Sequence, residues 1–236
     1  MYIPPAFEEN SLSRLHQTIE QARIAQLVTH GDAGLNATPL PLLLDAGEGP
    51  HGVLYGHIAR ANTLWQTTLD GEALAIFMGP DAYISPSWYP SKQRDGKVVP
   101  TWNYVTVHAH GPVEFFDDPD RLLAVVTRLT TRHEATRPEP WAVSDAPAPY
   151  IAANLRNIVG IRMPITRLEG KRKMSQNRSA EDQAGVAAGL TASADAADRN
   201  AAAQMDVPSS ATSSSVAPSS VASLSVGPLS PPPPRS

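Results

Sequence analysis

The chain has 236 residues, a net charge of −4, 42% hydrophobic residues and no cysteine. The missing cysteine excludes disulfides, thiolate catalysis and cysteine-ligated metal, and the acidic balance gives no general attraction for nucleic acid. No apolar run approaches the length of a membrane span, and Met1-Tyr2-Ile3-Pro4-Pro5 lacks the basic and apolar regions of a signal peptide, so a cytoplasmic protein without a membrane partner is expected.

In chain order, Asn10 or Ser11 caps a first predicted helix over about residues 11–23, with Leu12, Leu15, Ile19 and Ala22 at helical spacing. Ile24 to Thr29 reads as a short strand. Gly31-Asp32-Ala33-Gly34 supplies turn chemistry, and Leu35 to Leu44 returns as extended chain. Pro39 and Pro41 exclude helix there and mark an edge strand. Val53 to Ile58 is a strand running into a short helix over Ala61 to Thr68. Ala73 to Met78 is a buried strand, continued after Gly79-Pro80 into Ile84, and Ser85 to Lys97 is a loop.

Thr101 to Phe116 alternates, with Tyr104, Thr106, His108 and His110 on one side and Val105, Val107 and Ala109 on the other. Asp118-Pro119 opens a helix whose apolar face is Leu122, Leu123, Val126 and Leu129. Tyr150 to Asn157 reads as helix, Val159 to Leu168 as strand, and Ala180 to Leu190 as a last amphipathic segment. From Thr191 the composition collapses to Ala, Ser and Pro, ending in four prolines, so residues 191–236 are expected to be a disordered tail. Residues 1–190 form one domain, large enough for a covered core. Many strands without βαβ alternation favour an α+β, mainly β fold: an antiparallel sheet or barrel with peripheral helices.

Three blocks carry the chemistry. Gly56-His57-Ile58-Ala59-Arg60-Ala61-Asn62 sets an Arg and an Asn at a helix entry, where free N–H groups and a guanidinium fork suit a phosphate ester. Tyr83 to Tyr89 and Val99 to Tyr104 interleave Trp88, Tyr89, Trp102 and Tyr104 with Ser85, Ser87, Thr101 and Asn103, a mixture suited to a flat ring with a polar edge. Gly170 to Arg178 is a basic run that includes Ser175, Gln176 and Asn177; it is a solvated face, completes an anion site or touches a nucleic acid backbone. His108 and His110 share a strand face, but no third ligand follows from spacing, so no metal is expected. His133-Glu134 is followed by Arg137 where a zinc-protease helix needs His.

Together, in this order, the blocks resemble the PaiB-type FMN-binding family, described as negative transcriptional regulators. The resemblance runs from Met1 to about Leu190. It implies an antiparallel split β-barrel, like that of pyridoxamine phosphate oxidases and small flavin reductases, working as a homodimer with FMN at the subunit interface. It implies cofactor contacts from His57, Arg60, Asn62, Ser85, Trp102, Asn103, Lys171, Ser175, Gln176 and Asn177. Arg60 and Asn62, helped by Lys171, would hold the phosphate, and His57 would orient Arg60 or meet the ribityl chain. Trp102 and Asn103 would approach the isoalloxazine, with Ser175 to Asn177 closing the site. No catalytic residue is implied. Ala6 departs from the His that relatives commonly carry before Phe7. The functions implied are a flavin-bound regulator of transcription, acting on DNA or through another regulator, or alternatively an FMN-dependent oxidoreductase acting on a small molecule. A haem-handling barrel with His108, His110 or His133 as axial ligand is a third.

Overall fold

The structure is a computed structural model that describes residues 1–32 and 34–206. Its strands are β1 (Glu8–Glu9), β2 (Ala25–Gly31), β3 (Gly34–Leu40), β4 (Leu43–Asp45), β5 (Val53–Ala59), β6 (Ala73–Ile84), β7 (Thr101–Gly111), β8 (Glu114–Phe116), β9 (Ile158–Pro164) and β10 (Arg167–Lys173). The helices are α1 (Leu12–Gln21), a single turn α2 (Lys92–Asp95), α3 (Pro119–Glu134), α4 (Ala148–Leu155), α5 (Ala180–Thr191) and α6 (Ala196–Ala202). The strands form a six-stranded sheet in the order β1-β10-β7-β6-β2-β3 and a four-stranded sheet in the order β4-β5-β9-β8. Every strand pairing is antiparallel.

The two sheets enclose one core, the split β-barrel that the sequence resemblance implied. Leu27, Ala75, Phe77, Val107 and Ala109 of the larger sheet meet Leu54, Ile58, Val159, Ile161 and Met163 of the smaller, with Leu15 and Ile19 of α1 closing one end. The alternation read for Thr101 to Phe116 is present, but the run is broken in two. β7 ends at Gly111, and after Pro112 the chain enters the other sheet as β8. Proline has no N–H to give to a ladder, so the switch falls there.

β3 is the edge strand expected, with Pro39 in it, and the opposite edge, β1, is only two residues long. The helix expected at Ala61 to Thr68 is a single 3₁₀ turn, Thr63–Gln66, with Asn62 as its cap. The Ser85 to Lys97 loop holds a 3₁₀ turn, Pro86–Trp88, and α2.

Leu122, Val125 and Leu129 of α3 pack on Leu43 and Phe116 of the smaller sheet. Asp118 accepts a hydrogen bond from the Arg121 N–H at 2.8 Å, capping α3, and Pro119 fills the first turn, where no N–H is needed. Asp118→Ala is expected to lower stability by about 1 kcal/mol, read as a fall in the urea midpoint at unchanged slope.

The chain does not leave the fold at residue 190, where composition put the start of the tail. α6 follows, capped by Asp195, which accepts from the Ala197 N–H at 2.8 Å. Its Ala201 is buried with Val186 and Leu190 of α5 against Ala82, Ile84 and Tyr89. Alanine is the best helix former, so an Ala-rich segment with a cap and a docking face forms helix although it lacks large apolar groups. Arg172 of β10 fixes this segment by donating to the Gln204 side chain at 3.1 Å and to its backbone carbonyl. Residues 207–236, the rest of the tail expected to be disordered, lie outside the described residues.

α5 sits very close to the Pro86–Trp88 turn. A Cβ at Gly185 would overlap the Trp88 carbonyl oxygen, and one at Gly189 would come within 2.5 Å of the Trp88 ring.

Candidate functional site

The second and third sequence blocks meet at one end of the larger sheet. β7 and β10 pair with Lys173 opposite Tyr104, and β6 pairs with β7 with Ala82 opposite Asn103 and Tyr83 opposite Trp102. A register shift between Met78 and Asp81 bends β6 beneath them.

Asn103 is completely buried. Its Oδ1 accepts from the Ser175 hydroxyl at 3.0 Å, and its Nδ2 has no partner among the described residues. Ser175 adopts φ 65°, a left-handed conformation rare outside glycine, which turns the chain out of β10 and aims its hydroxyl at Asn103. Lys173 donates to Thr101 Oγ1 at 2.6 Å and to the Trp102 carbonyl. Burial, then the charges of Lys171 and Arg178, push the Lys173 ammonium below its usual range. The Arg178 guanidinium lies 4.9 Å from the centre of the Tyr89 ring. Thr101, Asn103, Lys173, Ser175, Asn177 and Arg178 enclose a cavity of about 50 Å³.

Trp102 faces the other way. Successive strand residues point to opposite faces, so Trp102 and Asn103 of one chain face opposite sides of β7. Trp102 is 54% exposed and packs edge-on against Tyr83 at 5.8 Å between ring centres. Met78, also exposed, lies on β6 of the same sheet.

Three other expected contacts have local duties. Ser85 caps its own turn, accepting from the Ser87 N–H at 3.2 Å. Gln176 folds back on its strand, accepting from the Met174 N–H at 2.6 Å and donating to the Arg172 carbonyl. Lys171 donates to the Tyr2 carbonyl at 3.2 Å and sits over the Tyr2 and Tyr104 rings.

The first block lies on the smaller sheet. Arg60 donates from Nε to the Arg156 carbonyl at 2.8 Å and from Nη2 to the Ile158 carbonyl at 3.2 Å; Asp117 is 3.5 Å from its Nη1. These carbonyls orient Arg60, and His57 makes no hydrogen bond to it. Asn62 Oδ1 accepts from the Leu64 N–H at 3.0 Å. Trp65 donates to the Arg60 carbonyl at 3.0 Å and its ring lies 5.5 Å from the guanidinium. A cavity of about 540 Å³ opens beside Arg60, between Asp117, Leu122 and Arg156. Among the described residues no hydrogen bond, ion pair or cation–π contact joins Arg60 or Asn62 to Lys171, Asn103 or the Ser175–Asn177 turn. The two clusters thus lie on two different sheets of the chain.

His57, on β5, has its Nδ1 buried without a partner, and burial pushes its imidazole below the ordinary value of 6.5. The folded state then binds fewer protons than the unfolded state between the depressed pKa and 6.5. Stability is therefore full above 6.5 and is lost as pH falls through that window. His108 shifts the same way, through burial and then the Met1 ammonium. The urea midpoint is expected to fall between pH 7.5 and 5.5, and His57→Gln to flatten that slope. An unchanged slope would assign the dependence elsewhere.

His108 and His110 do gain a third neighbour that spacing did not reveal. Glu169 stands opposite His108 across the β7–β10 pair, with ligand atoms within 4.8 Å of one another. The carboxylate is already bound by the Met1 ammonium at 2.8 Å and by Arg167. It is the centre of an ion-pair cluster. His133 is exposed in the last turn of α3.

The sequence reading assigns no cofactor contact to Lys173 or Arg178, although it singles out the basic run that holds them. Both stood in the basic run, where nothing separates a solvated lysine from a desolvated one.

Comparison with known proteins adds four likenesses. A family profile described as "Putative FMN-binding domain" matches residues 1–167. An uncharacterised protein of Aspergillus fumigatus is 33% identical over 236 residues, covering 80% of this chain and 90% of its own. The Bacillus subtilis protein called Protease synthase and sporulation protein PAI 2 is 30% identical over 187 residues, covering 79% of this chain and 87% of its own. Among solved structures, a conserved hypothetical protein of Mycobacterium tuberculosis superposes with a TM-score of 0.51 at 14% identity, covering 76% of this chain and 94% of that one; this likeness bears on the fold alone.

Proposed function

The chain belongs to the family of FMN-binding domains, and on that premise we propose that it binds FMN as a cytoplasmic homodimer and lowers transcription through the state of that flavin. The observation that carries the flavin reading is the buried, unpartnered Asn103 amide set among Lys173, Ser175 and Arg178. A buried donor left unpaired costs about 1–3 kcal/mol, and a ligand's polar edge relieves that cost. FMN, when bound, supplies the redox chemistry through its ring. The chain's own residues bind, orient and exclude water.

The separation of the two clusters supports the dimer reading. Arg60 and Asn62 sit on one sheet and the Asn103 cluster on the other, so a second copy is proposed to bring one copy's Arg60 half-site to the other's Asn103 half-site. Exposed Met78, Tyr83 and Trp102 offer an apolar face for that contact. The net charge of −4 gives DNA no general attraction, so regulation is proposed to run through a partner regulator or a signal metabolite. A salt-dependent, sequence-specific gel shift with pure protein would replace that route with direct DNA binding.

The second reading is an FMN-dependent oxidoreductase of the pyridoxamine phosphate oxidase and flavin reductase class. The small donor-lined cavity favours it, because it leaves room for a group of a second molecule beside a bound ring. Turnover of a nicotinamide donor above the free-FMN background would select this reading.

The first test is the visible spectrum of freshly purified protein, with identification of what denaturation releases. A flavin spectrum with FMN released is expected. A colourless protein that also fails to take up added FMN removes the flavin reading and both functions built on it.

A further inference from the structure

The cavity at the ends of β7 and β10 has an unusual inventory. Its charged groups are Lys173 and Arg178, both cations, and no carboxylate lines it. Lys173 spends its hydrogen bonds on neutral oxygens, Thr101 Oγ1 and the Trp102 carbonyl. Arg178 rests on the Tyr89 ring and makes no ion pair among the described residues. The neighbouring carboxylates are engaged elsewhere. Asp182 accepts from the Ser91 N–H at 3.1 Å and the Ser91 hydroxyl at 2.8 Å, and Glu181 pairs with Arg94 at 2.5 Å.

Asn103 adds a third donor. Its Oδ1 is committed to Ser175, which fixes the amide and leaves the fully buried Nδ2 free. Two like charges held together in a partly desolvated place repel one another, and water screens them poorly there. An anion relieves both the repulsion and the unpaired amide. At about 50 Å³ the cavity is far below the ~300–1,000 Å³ of a site that encloses a whole small molecule. It admits one group of a ligand and no ring system.

We propose that Thr101, Asn103, Lys173, Ser175, Asn177 and Arg178 form an oxyanion subsite that takes the carboxylate or phosphoryl group of a ligand. The inference deepens the flavin reading, on which it rests for the ligand's remaining body. The source of the oxyanion is either the phosphate of the flavin or a separate small acid, and the two differ in what they do to flavin affinity.

The test uses the full chain freed of flavin. Calorimetric titration with inorganic phosphate and with acetate is run on the parent protein, Lys173→Met, Arg178→Met and Lys173→Arg. FMN and riboflavin affinities are measured in parallel by fluorescence. The parent is expected to bind at least one of the two anions, at least tenfold more tightly than either methionine variant. Lys173→Arg, which keeps the charge, is expected to retain binding. Thermal melts identify a variant that fails to fold, and the charge-keeping variant then carries the comparison with the other methionine variant. If FMN's advantage over riboflavin disappears in the methionine variants, the oxyanion is the flavin's phosphate. If that advantage is unchanged while phosphate or acetate binding is lost, the subsite serves a separate acid. Anion binding without any flavin binding keeps the subsite and removes the flavin reading. Equal anion binding in all four proteins, or none in any, together with an unchanged FMN-to-riboflavin ratio, overturns the proposal even where flavin binds.

Discussion

Gly111→Ala is expected to destabilise the fold by about 3 kcal/mol or more, at the upper end of what overpacking costs. Gly111 closes β7, opposite Ala73. A Cβ there would overlap the Pro164 carbonyl oxygen and come within 3.1 Å of the carbonyl carbon. Pro164 ends β9, and the chain enters β10 at Arg167, so this is the crossing from the smaller sheet to the larger. A clash with backbone at that crossing finds no rotamer to relieve it, and either the crossing or the end of β7 must move. Gly47→Ala is the control, because its nearest contact would be the Asp45 carboxylate at an ordinary 3.6 Å. Urea midpoints decide the matter: the control should match the parent, and a Gly111 variant that also matches it would refute the close approach.

Replacing Asn103 by Leu together with Ser175 by Ala is expected to weaken FMN binding ten- to hundredfold, about 1.4–2.7 kcal/mol, with little loss of stability. The double change removes both members of the Asn103–Ser175 hydrogen bond at once, so neither is stranded. It also removes the unpaired Nδ2, which is a burden to the ligand-free fold. A purely structural pair would give the opposite pattern: a large fall in urea midpoint and flavin affinity unchanged in the protein that still folds. Flavin fluorescence and urea titration on one preparation separate these outcomes.

The periodic parts of the fold were legible. The α1 stripe of Leu15 and Ile19, the hairpin around Gly31 to Gly34 and the alternation of β7 each follow from one local period. Which sheet a strand joins was not, because pairing between β10 and β7, or between β5 and β9, is set by contacts distant in sequence. The same limit governed the site. The three blocks were visible, yet the meeting of the second and third depends on Ser175 at positive φ and on Lys173 reaching Thr101 across a strand pair. Arg60 was visible as a cation, but its Nε and Nη2 bonds to the Arg156 and Ile158 carbonyls were not. α6 escaped because its apolar contacts are alanines, which count little in composition and pack well on a flat partner.

Both margins of the larger sheet are interrupted as templates for further strands. β3 carries Pro39 at one margin, and β1 offers only two residues at the other. A strand from another molecule finds neither a full row of donors nor enough length to zip onto. Growth by adding sheet to sheet, the route to fibres, is thereby discouraged. In the proposed dimer, copies join through the face that bears Tyr83 and Trp102, and a self-complementary contact of that kind closes on itself after two molecules. The same margins that discourage strand-by-strand growth therefore also limit how large an assembly the proposed contact can build.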